Sequence, residues 1–218
     1  MALSTGHRHL HGYACRRTVP GQGRGGLQMV ETIADQRARV LRMWNELDVP
    51  ENFLVAQVTP EGVLMSPPAA PQHSSTVDEL NRILVEASNR SYRVHQTKGM
   101  WVAAQPAIFV PDFMVVARGL PPGDISSEDT LLVAEITSPS NVRNDRVVKY
   151  HAYAKGGVAQ YLLIDPVDED DPSVTLFSEP SGDEYTRAVR VPYGESLTVE
   201  QPFPIVIDTG LFPLDDEE

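Results

Sequence analysis

Two short runs, LLVAEI at residues 131–136 and AQYLLID at 159–165, constrain this chain more than any other feature. Each is nearly continuous in apolar residues, the pattern of a strand covered on both faces rather than half-exposed to water. Between them residues 143–155 (RNDRVVKYHAYAK) have helical spacing and are followed by Gly156 and Gly157 as a C-cap. Strand, helix, strand in that order predicts a parallel pair joined by a right-handed crossover. The chain must therefore build around a buried sheet with a helix packed across it.

The remaining segments supply the neighbours of that sheet. Ile33, Val40, Leu41, Trp44 and Leu47 fall on one face at helical spacing, which predicts an amphipathic helix over 31–47, stopped by Pro50. Strands are expected at 53–58 and 62–65, then a loop at SPPAAPQ. A second helix is expected from about residue 73 to 89, with Ser74, Ser75 or Thr76 as caps and Val77, Leu80, Leu84 and Ala87 as its buried stripe. Further strands are expected at 92–96, at 100–104, and along 108–116 where Pro111 breaks the run, and stretches at 174–177, 185–191 and 205–207 read as antiparallel edge strands. The fold class is α/β (α+β): a mixed central β-sheet flanked by helices, with antiparallel strands at the C-terminal edge.

Residues 1–28 are rich in Gly, Arg and His without apolar periodicity, and read as a disordered extension ahead of a single domain over 29–218. The helical pattern right after Met29 makes that residue the candidate natural start. His7, His9, His11 and Cys15 lie in this extension and read as incidental rather than as metal ligands. No apolar run approaches the roughly 18 residues that span a bilayer, so no membrane association is expected. Cys15 is the only cysteine, which excludes an internal disulfide and a multi-thiolate zinc site and suits a reducing, cytoplasmic setting.

Charge narrows the function. The chain carries a net charge of −12, and without residues 1–28 it has 14 basic against 30 acidic side chains, a net charge of −16. Such a body does not attract polyanions through its overall field, so a role on nucleic acid needs a local basic rim or a divalent metal. Arg82, Arg90, Arg93, Lys98, Arg143 and Arg146 are the candidates for that rim. HExxH, GxxxxGK[ST] and GxSxG are all absent, which removes most support for zinc proteases, P-loop hydrolases and serine hydrolases.

Two acids remain conspicuous. Asp112 in FVPDFMVV and Glu135 in LLVAEIT each sit in or against an apolar strand, where an unpaired charge costs several kcal/mol. Two readings are open: neighbouring strands bring the carboxylates together around a hard cation such as magnesium, or one caps a turn while the other pairs with a buried Arg or Lys. Asp145, Lys149 and Tyr153 form one helical row at intervals of four, close after Glu135. Lys149 then either reaches a phosphate oxygen or an attacking water beside that cation, or forms a surface pair with Asp145.

The segments SPPAAPQH, PDFMVV, VAEITSPSN and RNDRVVKYHAYAKGGVAQYLLIDP resemble successive motifs of the Uma-two family of endonucleases, within the PD-(D/E)XK restriction-endonuclease-like superfamily. The resemblance runs from about Phe53 to the C-terminal strands. It implies that Asp112 and Glu135 bind magnesium or manganese, with the backbone carbonyl of Ile136 as a further ligand. It also implies that Lys149 replaces the lysine that the wider superfamily carries two residues after the glutamate, where this chain has Thr137. His73 matches a family histidine, with a phosphate contact or a bond to a metal ligand as its implied role. Gln57 stands where relatives often carry a glutamate.

The activity implied by the resemblance is metal-dependent endonucleolytic hydrolysis of DNA, with the metal polarising the phosphoryl group and acidifying a water, while Lys149 orients that water or stabilises the developing charge. A different class competes with it: a catalytically degenerate binding or assembly protein on the same fold, a homodimer through the antiparallel edge, favoured by Gln57, Thr137 and the acidity. A sugar hydrolase would need two acids flanking a cleft, and only one strong pair is present.

Overall fold

A computed structural model describes residues 31–213 other than 103, 122, 169 and 170. The expectations for residues 1–28 and for Met29 as a start lie outside the described residues. The first helix, α1 (Ile33–Glu46), begins with a reciprocal capping box: the Thr32 hydroxyl accepts from the Asp35 N–H, and the Asp35 carboxylate accepts from the Thr32 N–H. Its buried Val40 packs on Val58 and Ile108, with Leu41 and Trp44 alongside. Ile33, expected on the same face, lies in the first turn outside that cluster and stays 74% exposed.

Among the described residues thirteen strands follow in three sheets rather than the single sheet expected. β1 (Leu54–Thr59), β2 (Gly62–Ser66), β4 (Met100–Val102), β5 (Ala107–Phe109) and β7 (Ile125–Ser126) form a five-stranded sheet in the order β2-β1-β5-β4-β7. β3 (Tyr92–Gln96), β6 (Phe113–Ala117), β8 (Thr130–Ile136), β9 (Gln160–Asp165), β10 (Ser173–Ser181) and β11 (Glu184–Pro192) form a six-stranded sheet in the order β11-β10-β9-β8-β6-β3. β12 (Ser196–Val199) and β13 (Ile205–Asp208) make a separate hairpin, so the last expected edge strand leaves the main sheet. The run broken by Pro111 explains the split: β5 belongs to one sheet and β6 to the other, and the chain changes sheet across Val110, Pro111 and Asp112.

The two apolar runs behave as their composition dictates. β8 and β9 are parallel, with Ala134 opposite Leu162, and β8 lies inside the sheet between β9 and β6. Side chains alternate between faces. Leu132, Ala134 and Ile136 point into a cluster shared with Leu80 and Leu84 of the second helix, α2 (Pro71–Ala87), and with Leu197 and Ile207 of the hairpin. Val133 points into the opposite cluster, with Phe109, Tyr153 and Tyr161. Glu135, two residues on, therefore belongs to that second face. Burying a leucine such as Leu80 or Leu84, both 0% exposed, stabilises the fold by about 1.5–3 kcal/mol relative to leaving it in water.

α2 starts earlier than expected, at Pro71 rather than near residue 73, because a proline at N1 gives up only an N–H that lacks a helical partner anyway. Its N-cap is Ala70, without a side-chain bond, and the serines and Thr76 bond back to carbonyls one turn earlier instead of capping. Residues 143–155 divide into a π-helical stretch, Asn144–Lys149, and α3 (Tyr150–Lys155). Among the described residues no helix is long and apolar enough to cross a membrane.

The two glycines after α3 serve different ends. Gly157 has φ +78°, a conformation costly for a side chain. Gly156 is in ordinary helical conformation, but a Cβ there would come within 2.7 Å of the Ser127 hydroxyl and 3.0 Å of the Ala152 carbonyl oxygen. Because Ser127 is wholly buried and donates to the Gly156 carbonyl at 2.6 Å, neither neighbour yields easily. Gly156→Ala is accordingly expected to lower unfolding free energy by about 1–3 kcal/mol through overpacking, measured by urea denaturation. A neutral result would mean that the α3 end slides freely over Ser127.

Candidate active site

Asp112 stands where the chain enters β6, and Glu135 is the second-last residue of β8. These strands run antiparallel with Phe113 opposite Ala134, so the two acids meet across the ladder's end. The Ile136 N–H donates to Asp112 Oδ2 at 2.8 Å, and the Asp112 N–H approaches Glu135 Oε2 at 3.4 Å. Lys149 Nζ donates to Glu135 Oε2 at 2.7 Å and lies 2.9 Å from Asp145 Oδ1. The Tyr153 hydroxyl donates to Glu135 Oε1 at 2.5 Å. His73, in the first turn of α2, has Nε2 3.4 Å from Asp112 Oδ2. All four side chains expected at the site, and Ile136, are thus gathered in one place.

Both readings of the paired acids are partly realised: the carboxylates are adjacent, and the buried lysine that pairs with Glu135 is Lys149 itself. The surface pairing of Asp145 with Lys149 is corrected, since the two residues are 2% and 4% exposed. Tyr153 is the partner left without a role in the sequence, although the row of residues four apart already held it. Tyr161 supports this arrangement by donating to the Asp145 carbonyl at 3.0 Å.

Burial dominates the electrostatics. It pushes the Glu135 carboxyl up to about 8, against the opposing pull of Lys149, with Asp112 and Asp145 adding to the rise. Asp145 is raised for the same reason. Lys149 is also buried, which favours its neutral form, but the charges of Glu135, Asp145 and Asp112 overrule burial and raise its pKa. The ammonium therefore stays protonated, and Lys149 can donate a hydrogen bond but cannot serve as a general base. Asp112 is lowered despite its own burial, by the His73 bond and by Lys149. His73 is raised, Asp112 outweighing desolvation.

Asp112, His73 and Lys149 line a cleft of about 500 Å³. Its apolar lining comes from Trp44, Val49, Phe53, Leu54 and the prolines 67 and 68, and Ser138, Pro139, Ser140 and Asn141 form a polar lip. The Asn141 amide donates to the Ser66 hydroxyl at 3.1 Å, which ties this lip to β2. The expected basic rim is smaller than the sequence suggested. Arg82 is held by Glu79 and Glu86, and Arg146 makes a two-bond pair with Asp165 at 2.6 and 2.9 Å. Thr137 is buried with its hydroxyl unpartnered, and the Gln57 side-chain carbonyl is likewise buried without a hydrogen bond. Gln57 is opposite Phe109, whose ring meets Tyr153 at 5.7 Å, so it shares the face turned toward the site.

Among the described residues no three or more His, Cys, Asp and Glu side chains form a metal-ligand group. The donor set offered is two carboxylates and one main-chain carbonyl. In a strand the N–H and C=O of one residue point the same way, so the Ile136 carbonyl shares the side on which its N–H meets Asp112. All three donors are oxygens, which suits a hard divalent cation that keeps part of its water shell.

A family model described as "Uma2: Putative restriction endonuclease" matches residues 49–211. No curated protein matches the chain. Among solved structures the chain is similar to a crystal structure described as a "putative nuclease belonging to DUF820" from Anabaena variabilis, at 17% identity and a TM-score of 0.56. That likeness covers 73% of this chain and 88% of the other, and it shows the fold.

Proposed function

The chain belongs to the Uma2 family of restriction endonuclease type, and we propose that it is a metal-dependent endonuclease that hydrolyses DNA phosphodiester bonds at Asp112, Glu135 and Lys149. The observation that carries this reading is a surplus of negative groups, two of them fully buried and the third half-buried. Asp112, Glu135 and Asp145 are gathered around one lysine at a cleft wall, an arrangement that a fold kept only for stability has no reason to retain. A divalent cation supplies the missing charge, and when bound it polarises a phosphate ester and makes water more acidic.

The chain's own groups do the rest. Asp112 and Glu135 hold oxygen donors in fixed relation because the main chain of each strand end bonds the other's side chain. Asp145 and Glu135 keep Lys149 charged, so its ammonium can donate to a phosphoryl oxygen as negative charge develops. His73 orients Asp112. The apolar wall limits water at the reacting centre. Gln57 and Thr137, polar groups left unpartnered beside the site, favour a second reading, a protein that binds nucleic acid without cutting it.

The deciding test is nicking of supercoiled plasmid with magnesium or manganese, beside calorimetric metal titration, for the protein and for Asp112→Ala. Metal binding and nicking that both vanish in the variant support the endonuclease. An unaltered protein that takes up no metal at millimolar concentrations and leaves plasmid intact sinks it.

A pH dependence follows from Glu135. Burial raises its carboxyl, so a protonated fraction that grows as pH falls must lose its proton before the group binds a cation. Magnesium binding at pH 7 should therefore release a proton, detectable as a dependence of calorimetric heat on the buffer's ionisation enthalpy. Apparent affinity should rise with pH and level off once the carboxyl is fully ionised. Affinity independent of pH between 6 and 8 would count against Glu135 as a ligand.

A further inference from the structure

Trp44 lines a second cavity as well as the cleft, and this one measures about 400 Å³. The only two tryptophans of the chain, Trp44 and Trp101, both line it, with Arg37, Asn45, Asp124 and Glu128. The Arg37 guanidinium stands 4.6 Å from the Trp101 ring centre. Trp44 is seated against the main chain, since a Cβ on Gly99 would come within 2.7 Å of its ring. The cavity is thus a rigid aromatic site with one cation and two carboxylates.

We propose that it takes an unpaired nucleobase carrying an exocyclic amino group, adenine, cytosine or guanine, from the strand whose phosphodiester lies at Asp112 and Lys149. The proposal rests on the nuclease reading and sharpens it: the substrate is single-stranded, or has a base turned out of the helix. Indole and guanidinium planes both stack on bases, and every base offers a flat face. A cavity of this volume is large enough for one. Asp124 and Glu128 would repel a phosphate but accept hydrogen bonds from an amino group, as carboxylates do from cytosine. A cationic ligand suits the site less well, because Arg37 already occupies a face of Trp101. Trp44, shared by cavity and cleft, makes the two neighbours.

The test titrates the full chain with the four deoxynucleosides, which carry no phosphate and so do not depend on the site at Asp112. Intrinsic fluorescence is the readout, because both fluorophores line the cavity. Saturable quenching at millimolar concentration is expected for deoxyadenosine, deoxycytidine and deoxyguanosine, with thymidine about tenfold weaker. Asp112→Ala should leave this unchanged. Trp101→Leu should weaken binding about tenfold or more. Asp124→Asn with Glu128→Gln, both at exposed positions, should bring thymidine level with the others without disturbing the fold. Absence of saturable quenching up to about 10 mM overturns the proposal. Equal binding of thymidine by the unaltered protein also overturns it, as does quenching by spermidine but by no nucleoside, which would mark a cation site. Nucleoside binding without cleavage of either plasmid or a single-stranded oligonucleotide would uphold the cavity and remove the nuclease reading; cleavage without nucleoside binding would do the reverse.

Discussion

Lys149→Met should lose plasmid nicking by at least about a hundredfold and also lower the stability of the fold, an unusual pairing for a change of one side chain. The ammonium is the cation shared by Glu135 and Asp145, and its side chain is only 5% exposed. Without it two carboxylates remain buried beside Asp112 with no compensating charge, a loss of about 3–5 kcal/mol for a fully broken buried pair. The stability loss should depend on pH in a defined direction. Burial already raises Glu135 and Asp145, and removing Lys149 raises them further, so their folded-state values lie above their unfolded ones. Such groups disfavour folding as they ionise: the deficit is small below the ordinary carboxylate range and grows as pH rises through the raised values. Urea unfolding of the variant at pH 5 and pH 8.5 checks this. A deficit equal at both, or absent, would mean that the lysine is not the counter-charge of this cluster.

Glu135→Gln should separate catalysis from stability. The amide keeps the shape of the carboxyl, removes a buried charge, and leaves Lys149 paired with Asp145 at 2.9 Å. It can satisfy Lys149 or Tyr153 through its oxygen but not both, at a cost of about 1 kcal/mol for the bond lost. The fold should therefore survive with an unfolding midpoint near that of the unaltered protein. Metal affinity should fall, since a neutral amide is a poor partner for a hard cation, and nicking should drop by about a thousandfold or more. A variant that nicks at a tenth of the normal rate would remove Glu135 from the machinery and shift attention to Asp112 alone. Combining it with Lys149→Met should restore much of the lost stability, because the double change leaves one buried carboxylate unpaired instead of two.

Much of the fold was legible because its central strands are buried on both faces, and continuous apolar runs report that directly. Glu135 and Asp112 stood out for the same reason: an acid is conspicuous only where its neighbours are uniformly apolar. Pro111 was visible as an interruption, but whether a strand resumes in the same sheet depends on partners far along the chain, and here β5 and β6 part company. Burial of Asp145 and Lys149 was hidden for a related reason. Spacing of four places them together on a helix, yet only the packing of that helix over β8 decides whether water reaches them. The roles of Arg82 and Arg146 were equally opaque, since a basic residue looks free until the carboxylate that holds it is located. Tyr153 was in view as part of a row, and its hydroxyl became meaningful only with Glu135 beneath it.

A lysine two residues after Glu135 in β8 would have its position set by the pleat, which returns every second side chain to the same face whatever lies beyond the strand. Lys149 instead rides on the π-helical stretch Asn144–Lys149, where the wider turn takes in one residue more than an α-turn between the same ends. Its place at Glu135 is therefore a matter of residue count. Loss of a single residue from this stretch could close the turn into an ordinary α-helix and leave Tyr153 seated, yet shift Asp145 or Lys149 by one step of about 100° around the axis. A deletion that removes no core side chain would then act on the chemistry alone, making chain length in this one turn as much a determinant of activity as the identity of the lysine.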